Sequence, residues 1–274
     1  MTKYTIAYAS RSFRGNSRKR NEDNLWCCDS CLPLVHGNVR EGPAGRVKSG
    51  ASASFAVFDG FGSGEKGVTA SFLAAHTFGK LSEGAGWSEA DDALALDQCR
   101  KISAAIRNHA EENHILCMGA TMVCLQTGRT GIRGYHLGDC RCYRFTDGRL
   151  QRLTGDHCVT DGQGQKRLQR YLGAAEGRGC LQPSVFHQPY LEDDLWLLCS
   201  NGVTETLPEW RLAEILADER TLTQQLQLIR EEVLRYGGED DHTMLLLQVG
   251  REQSGVRRLY HKVCCRSKCE TSIF

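Results

Sequence analysis

Four short apolar runs in this 274-residue chain begin or end at an acidic or amide residue. They read Phe55-Ala-Val-Phe-Asp59-Gly60, Tyr135-His-Leu-Gly-Asp139, Leu195-Trp-Leu-Leu-Cys-Ser-Asn201-Gly202 and Asp240-Asp241-His-Thr-Met-Leu-Leu-Leu-Gln-Val249. A further pair, Glu22-Asp23, stands just before Asn24-Leu-Trp-Cys-Cys28. Carboxylates gathered at the ends of buried strands repel one another and lose hydration. Something must offset that. Hard divalent cations suit the task, because Mg²⁺ and Mn²⁺ prefer carboxylate and water oxygens.

The elements that must carry these residues are legible in outline. Tyr4-Thr-Ile-Ala-Tyr8 alternates like a strand, and Ser10 to Arg20 is polar and basic. Residues 36–50 hold Gly, Pro43 and basic residues and read as a hairpin loop or insertion. The turn Gly60-Phe-Gly-Ser-Gly64 leads into a helical pattern from about Lys66 to Leu81. A second helix is expected over 88–113, capped by Ser88 with Asp91-Asp92 in its first turn. Strand-like runs follow at Ala120–Gln126, Ile132–Leu137, Cys142–Phe145 and Leu150–Leu153, the last two joined at Asp147-Gly148. Residues 155–183 look like a flap with a short helical piece near Gln165–Leu172. After the Leu195–Ser200 strand, helices are expected near Pro208–Ala217 and Leu222–Tyr236, then a last strand, Thr243–Val249. Hairpin-paired strands with helices inserted early and late predict an α+β domain on antiparallel sheets.

Composition sets bounds. Apolar residues make up 41% and charged residues 24%, ordinary for a globular protein. A net charge of +1 gives no global field toward nucleic acid or a membrane surface. No apolar run is long enough for a membrane span, and the N-terminus lacks a signal-peptide pattern, so a cytoplasmic location is expected. Fourteen cysteines are scattered, several inside apolar runs, and read as buried free thiols in a reducing compartment. Cys264, Cys265 and Cys269 with His261 match no common zinc spacing. Residues 1–250 are expected to form a single domain, with 251–274 a basic, Cys-bearing, loosely ordered tail.

The order and wording of the motifs resemble the metal-dependent serine/threonine protein phosphatases of type 2C (PPM-type), in their compact bacterial form. Arg18-Lys-Arg-Asn-Glu22-Asp23 is similar to that family's R-x-x-N-E-D, and Phe55–Gly60 to its F-x-V-F/A-D-G. Gly119-Ala-Thr121 resembles G-T-T, Gly138-Asp139-Cys-Arg141 resembles G-D-S-R, and Leu153-Thr-Gly-Asp156-His157 resembles L-T-x-D-H. Leu198-Cys-Ser200-Asn201-Gly202 resembles L-C-S-D-G, and Gly237-Gly-Glu-Asp240-Asp241-His-Thr243 resembles G-G-x-D-N-x-T. The resemblance spans residues 18 to 249.

It implies a four-layer αββα architecture: a central β-sandwich of two antiparallel sheets with helices on both faces. It also implies a site for two Mg²⁺ or Mn²⁺ ions, with an optional third. Asp59 would bridge the two, Asp240 and position 201 would bind the first, and Glu22 and the Gly60 carbonyl would serve the second. Asp23 would support the water network, Asp139 would sit near the third ion, and Arg18 would grip the substrate phosphate. The implied reaction is hydrolysis of phosphoserine and phosphothreonine in proteins by a metal-activated water, in signalling opposite a cytoplasmic Ser/Thr kinase, and a monomer is expected. Two positions depart from the pattern. Asn201 replaces a ligand Asp and brings no charge, which predicts a weakened first site. Phe61 stands where some members have a proton-donating His. Those departures leave a second reading open, a catalytically impaired domain that binds phosphoproteins. His157 is expected to be a structural hydrogen-bonding residue.

Overall fold

The run Phe55 to Asp59 shows how this sequence builds its layers. Successive side chains on a strand face opposite ways. Phe55 and Val57 therefore enter one core, and Ala56 and Phe58 enter another. Both faces of this strand are buried, so it lies inside a layered fold.

The computed structural model describes residues 3–83, 92–174 and 180–252. In chain order, β1 (Tyr4–Phe13), β2 (Asp23–Cys27), β3 (Ser30–Cys31), β4 (Ala44–Lys48) and β5 (Ser54–Gly62) precede α1 (Lys66–Ser82) and α2 (Asp92–Glu112). Next come β6 (Met118–Thr127), β7 (Gly131–Leu137), β8 (Arg141–Thr146) and β9 (Arg149–Arg152). A small hairpin follows, β10 (Cys158–Thr160) and β11 (Lys166–Leu168), then β12 (Ser184–Pro189) and β13 (Leu195–Cys199). The chain continues through α3 (Asn201–Thr204), α4 (Glu209–Ala217), α5 (Leu222–Arg235) and β14 (His242–Arg251).

Among the described residues two antiparallel six-stranded sheets form, ordered β4-β1-β14-β13-β8-β9 and β12-β7-β6-β5-β2-β3. The core between them holds Ile6, Leu25, Phe55, Val57, Trp196, Leu198, Leu245 and Leu247. Helices α1 and α2 cover the β5 sheet through Phe78, Ile102 and Ile106. Helices α4 and α5 cover the other sheet through Leu212, Ile215, Leu226 and Ile229. The four-layer αββα expectation holds.

Three readings change. No helix forms at Gln165–Leu172; Lys166–Leu168 is a strand of the flap hairpin. Asp161 accounts for this, because one carboxylate oxygen accepts the Gln163 and Gln165 amides at 3.0 and 2.9 Å and sets a turn. The 36–50 segment contains the edge strand β4, paired with Thr5–Ala9. The polar stretch after Ser10 is in part strand, since β1 runs to Phe13 beside β14. The two-residue connection Asp147-Gly148 has positive φ at both positions, 48° and 72°, as a tight hairpin requires. Ser88, Asp91 and the Cys264–Cys269 cluster lie outside the described residues.

Candidate active site

The acidic end of the sandwich follows from strand alternation. On β5 the sequence Phe55, Val57, Asp59 continues along the inner face, and on β2 so does Cys27, Leu25, Asp23. Asp23 is the direct cross-strand partner of Asp59, and Asp59 is also opposite Thr121 on β6. Two carboxylates therefore face each other where the apolar filling between the sheets ends. Like charges in that position destabilise a sheet unless something neutralises them.

Asp23 is buried and accepts the Ser200 hydroxyl at 2.7 Å, while the Thr243 amide donates to that hydroxyl at 3.0 Å. The two sheets are thus stitched together beneath the site. Burial first, then Asp241, pushes the Asp23 carboxyl well up. Burial, with Asp23, Asp139 and Asp240 close by, does the same to Asp59. Asp139 is raised by burial although Lys166 pulls the other way, and its Oδ1 is buried without a hydrogen bond. Glu22 is raised by burial against the opposing pull of Arg18. Burial is the first cause at all four carboxyls, and neighbouring acids add to it.

Glu22 is steered by α1. Its carboxylate accepts the Gly67 amide in the first turn of α1, the positive end of the helix dipole. The contact is close: a Cβ on Gly67 would lie 2.6 Å from the Gly60 carbonyl oxygen and 2.7 Å from Glu22 Oε1. The Gly60 amide in turn donates to the Glu22 carbonyl at 3.1 Å. Asn201 opens α3 and is half-buried. The next residue, Gly202, packs its backbone on the Asp240-Asp241 segment, where a Cβ would meet the Asp241 carbonyl oxygen at 2.0 Å.

Asp240 is held by Arg18, whose Nε and Nη2 donate to its two oxygens at 2.7 and 2.8 Å. Arg18 Nη1 also reaches Glu22 Oε2 at 3.4 Å. The predicted phosphate-gripping arginine therefore faces a predicted ligand. Beside it a cleft of ≈ 360 Å³ opens toward solvent, lined by Arg18, Lys19, Arg20, Glu22 and Glu65. Asp241 has a different task. Its oxygens accept the Gly15 amide at 2.8 Å and the Glu22 amide at 2.7 Å, so it clamps two loops. It does not make up the charge missing at Asn201. Arg141 does not pair with Asp139; it donates twice to Asp156, at 2.9 and 2.8 Å. His157 accepts the Gly138 amide at 3.1 Å, stacks on His136 and, through burial first, is lowered to about 4, consistent with a structural role. Phe61 packs edge-on against Tyr171.

Sequence reasoning passed over Ser200, Thr243, Lys166 and Glu205. A single hydroxyl or lysine has no spacing signal, and only the fold brings these residues to the acids. Among the described residues no three His, Cys, Asp or Glu side chains form a group that could hold a metal ion as they stand. The bidentate hold of Arg18 on Asp240 is one visible reason. The donor set nonetheless fits hard cations. Glu22, Asp59, Gly60, Asp139, Asn201 and Asp240 offer only oxygen, and Asp139 keeps a buried oxygen without a partner.

The Protein phosphatase 2C family model matches residues 36–160. The serine/threonine phosphatase stp of Listeria monocytogenes is 27% identical over 266 residues, covering 89% of this chain and 96% of that one. PstP of Mycobacterium tuberculosis, a serine/threonine protein phosphatase, is 26% identical over 264 residues, 89% of this chain and 45% of that one. In fold, the chain is similar to the catalytic domain of PstP in complex with two manganese ions, with TM-score 0.71, 23% identity, and 90% and 99% of the two chains covered. It is also similar to the S. agalactiae serine/threonine phosphatase, with TM-score 0.73, 19% identity, and 88% and 98% covered. Motif order, sheet order and these likenesses agree: the chain is similar to protein phosphatase 2C in sequence over residues 36–160 and in fold over most of its length.

Proposed function

We propose that this chain hydrolyses phosphoserine and phosphothreonine in proteins, using two Mg²⁺ or Mn²⁺ ions. The observation that carries this reading is the cross-strand pair Asp23–Asp59 at the polar end of the inter-sheet core, with Glu22, Asp139 and Asp240 around it. Bound divalent ions would lower the pKa of a water and neutralise phosphoryl charge. Asp59 would be shared between them. Glu22 and the Gly60 carbonyl would hold one, Asp240 and Asn201 the other, and Asp139 would face an additional one. Asp23 would act from behind, its carboxyl fixed by the Ser200 hydroxyl beside its cross-strand partner Asp59.

Arg18 must exchange one partner for another. Its planar fork now matches the Asp240 carboxylate, and the same fork matches a phosphate. Metal loading at Asp240 would free it for substrate. Phe61 has no proton to give, so the departing alcohol takes its proton from solvent. The substrates are phosphoproteins, and we place the opposing Ser/Thr kinase in the same compartment, taken to be the cytoplasm; the chain acts as a monomer.

The test is release of phosphate from a phosphothreonine peptide or an aryl phosphate with and without millimolar Mn²⁺. Mn²⁺-dependent turnover is expected, and Asp59→Asn should lower it by at least about 10²-fold. No release above background would remove the enzyme and leave a phosphoprotein-binding domain.

A further inference from the structure

Among the described residues, the two strands of the flap hairpin pair only with each other. β10 and β11 form a separate two-stranded sheet, with Lys166 opposite Thr160. Backbone ties on either side are few: the His157 amide donates to the Gly138 carbonyl at 2.9 Å, and Leu172 bridges Ala120. The hairpin meets the acidic end through Cys158, whose Sγ lies 4.0 Å from Asp139 Oδ2, and through the ion pairs of Lys166. Lys166 Nζ lies 3.6 Å from Asp139 Oδ2, 3.2 Å from Asp156 Oδ2 and 3.2 Å from Glu205 Oε1. These three acids come from three places: the end of β7, the start of the flap, and the residue after α3.

The charges here balance. Asp139, Asp156 and Glu205 give three negative charges; Arg141, Arg152 and Lys166 give three positive ones. Arg141 and Arg152 both pair with Asp156, which leaves Lys166 as the cation paired with Asp139. The Asp139 side chain is only 7% exposed, so its carboxylate needs a nearby positive charge. A divalent ion on Asp139 would stand within a few ångströms of the ammonium, where like charges repel strongly. Ion and lysine compete for one carboxylate.

We propose that Lys166 is a positioning residue that stands in for a third divalent ion at Asp139. It latches the flap hairpin over the acidic end and limits the chain to two divalent ions. The count of ions rests on the phosphatase reading above; the latch does not.

The experiment compares the full chain with Lys166→Met, which keeps the aliphatic stem, and Lys166→Arg, which keeps the charge. Amide hydrogen exchange without divalent ions reads the latch. Residues 158–168 should exchange about tenfold faster in Lys166→Met and at the parent rate in Lys166→Arg. Mn²⁺ titration calorimetry reads the ion count. The parent and Lys166→Arg should take two ions and Lys166→Met three, and adding Asp139→Asn to Lys166→Met should abolish the third. Unchanged exchange in Lys166→Met, or a third Mn²⁺ already bound by the parent, overturns the proposal. A parent chain that binds no Mn²⁺ sinks the phosphatase reading instead, and the exchange rates alone then decide the latch.

Discussion

Two residues at this site are one substitution away from the family's pattern in opposite directions. Asn201 lacks a charge, and Asp241 has one where an amide is usual. The charge of Asp241 is spent on the Gly15 and Glu22 amides, so the two changes do not cancel. On the proposed reading the site would have one carboxylate fewer around its first ion. Asn201→Asp should tighten Mn²⁺ binding by about tenfold or more, since ligand charge tunes divalent affinity over decades. Calorimetric titration checks it. Equal affinities would mean that position 201 does not touch the ion. Arg18 is the other residue whose partner matters. Its position was legible by counting back from Glu22, but its pairing with Asp240 was not, because those residues are 222 apart in the chain.

At the scale of elements, the contact of β5 with α1 sets the site's geometry. Gly67 lets the first turn of α1 close on the Gly60 carbonyl and the Glu22 carboxylate. Alanine in a helix is favoured over glycine by up to about 1 kcal/mol. Here the added methyl would sit 2.6 Å from a backbone oxygen, which cannot swing away. Overpacking of that kind costs about 1–3 kcal/mol. The clash should win, so Gly67→Ala should destabilise the chain and weaken ion binding, as urea unfolding and Mn²⁺ titration would show. Gly162→Ala is a fair control, since nothing lies within 4 Å of its Cβ position; it should stay within about 0.5 kcal/mol. The flap teaches the complementary lesson. Lys166 to Leu172 has good helix formers, yet the Asp161 side chain and the pairing of Lys166 with Thr160 make a hairpin. Seven residues of favourable local preference are too few to outweigh a turn fixed by tertiary contacts.

For the whole molecule, the acidic end links stability to pH and to metal. Burial raises the carboxyls of Glu22, Asp23, Asp59 and Asp139 above their usual values. Above the unfolded-state values, the metal-free folded chain thus holds more protons than the unfolded chain. Those groups favour folding less as pH rises through the raised range. Divalent ions bind the deprotonated form and compete with the protons. The gain in Tm on adding Mn²⁺ should therefore be larger at pH 7.5 than at pH 5, and a chelator should abolish it. A hundredfold excess over Kd corresponds to about 2.7 kcal/mol. Comparing with and without Mn²⁺ at each pH cancels titration away from the site, including that of His157. A Tm gain independent of pH would show that these carboxyls do not hold the ion.

Local pattern by itself determined most of the long strands, the four longer helices to within a few residues, and the acidic or amide residues Asp59, Asp139, Asn201 and Asp240 at strand ends with Glu22 before another; the family resemblance supplied their roles. Alternation and helical period are properties of a few neighbouring residues, and they survive in any context that buries one face. Tertiary structure alone decided which charges meet. It set Asp23 against Asp59, gave Asp240 to Arg18, spent Asp241 on two loop amides and brought Lys166 to Asp139. Those pairings join segments up to 226 residues apart, and Coulomb and hydrogen-bond energies depend on distance in space, which no local spacing records.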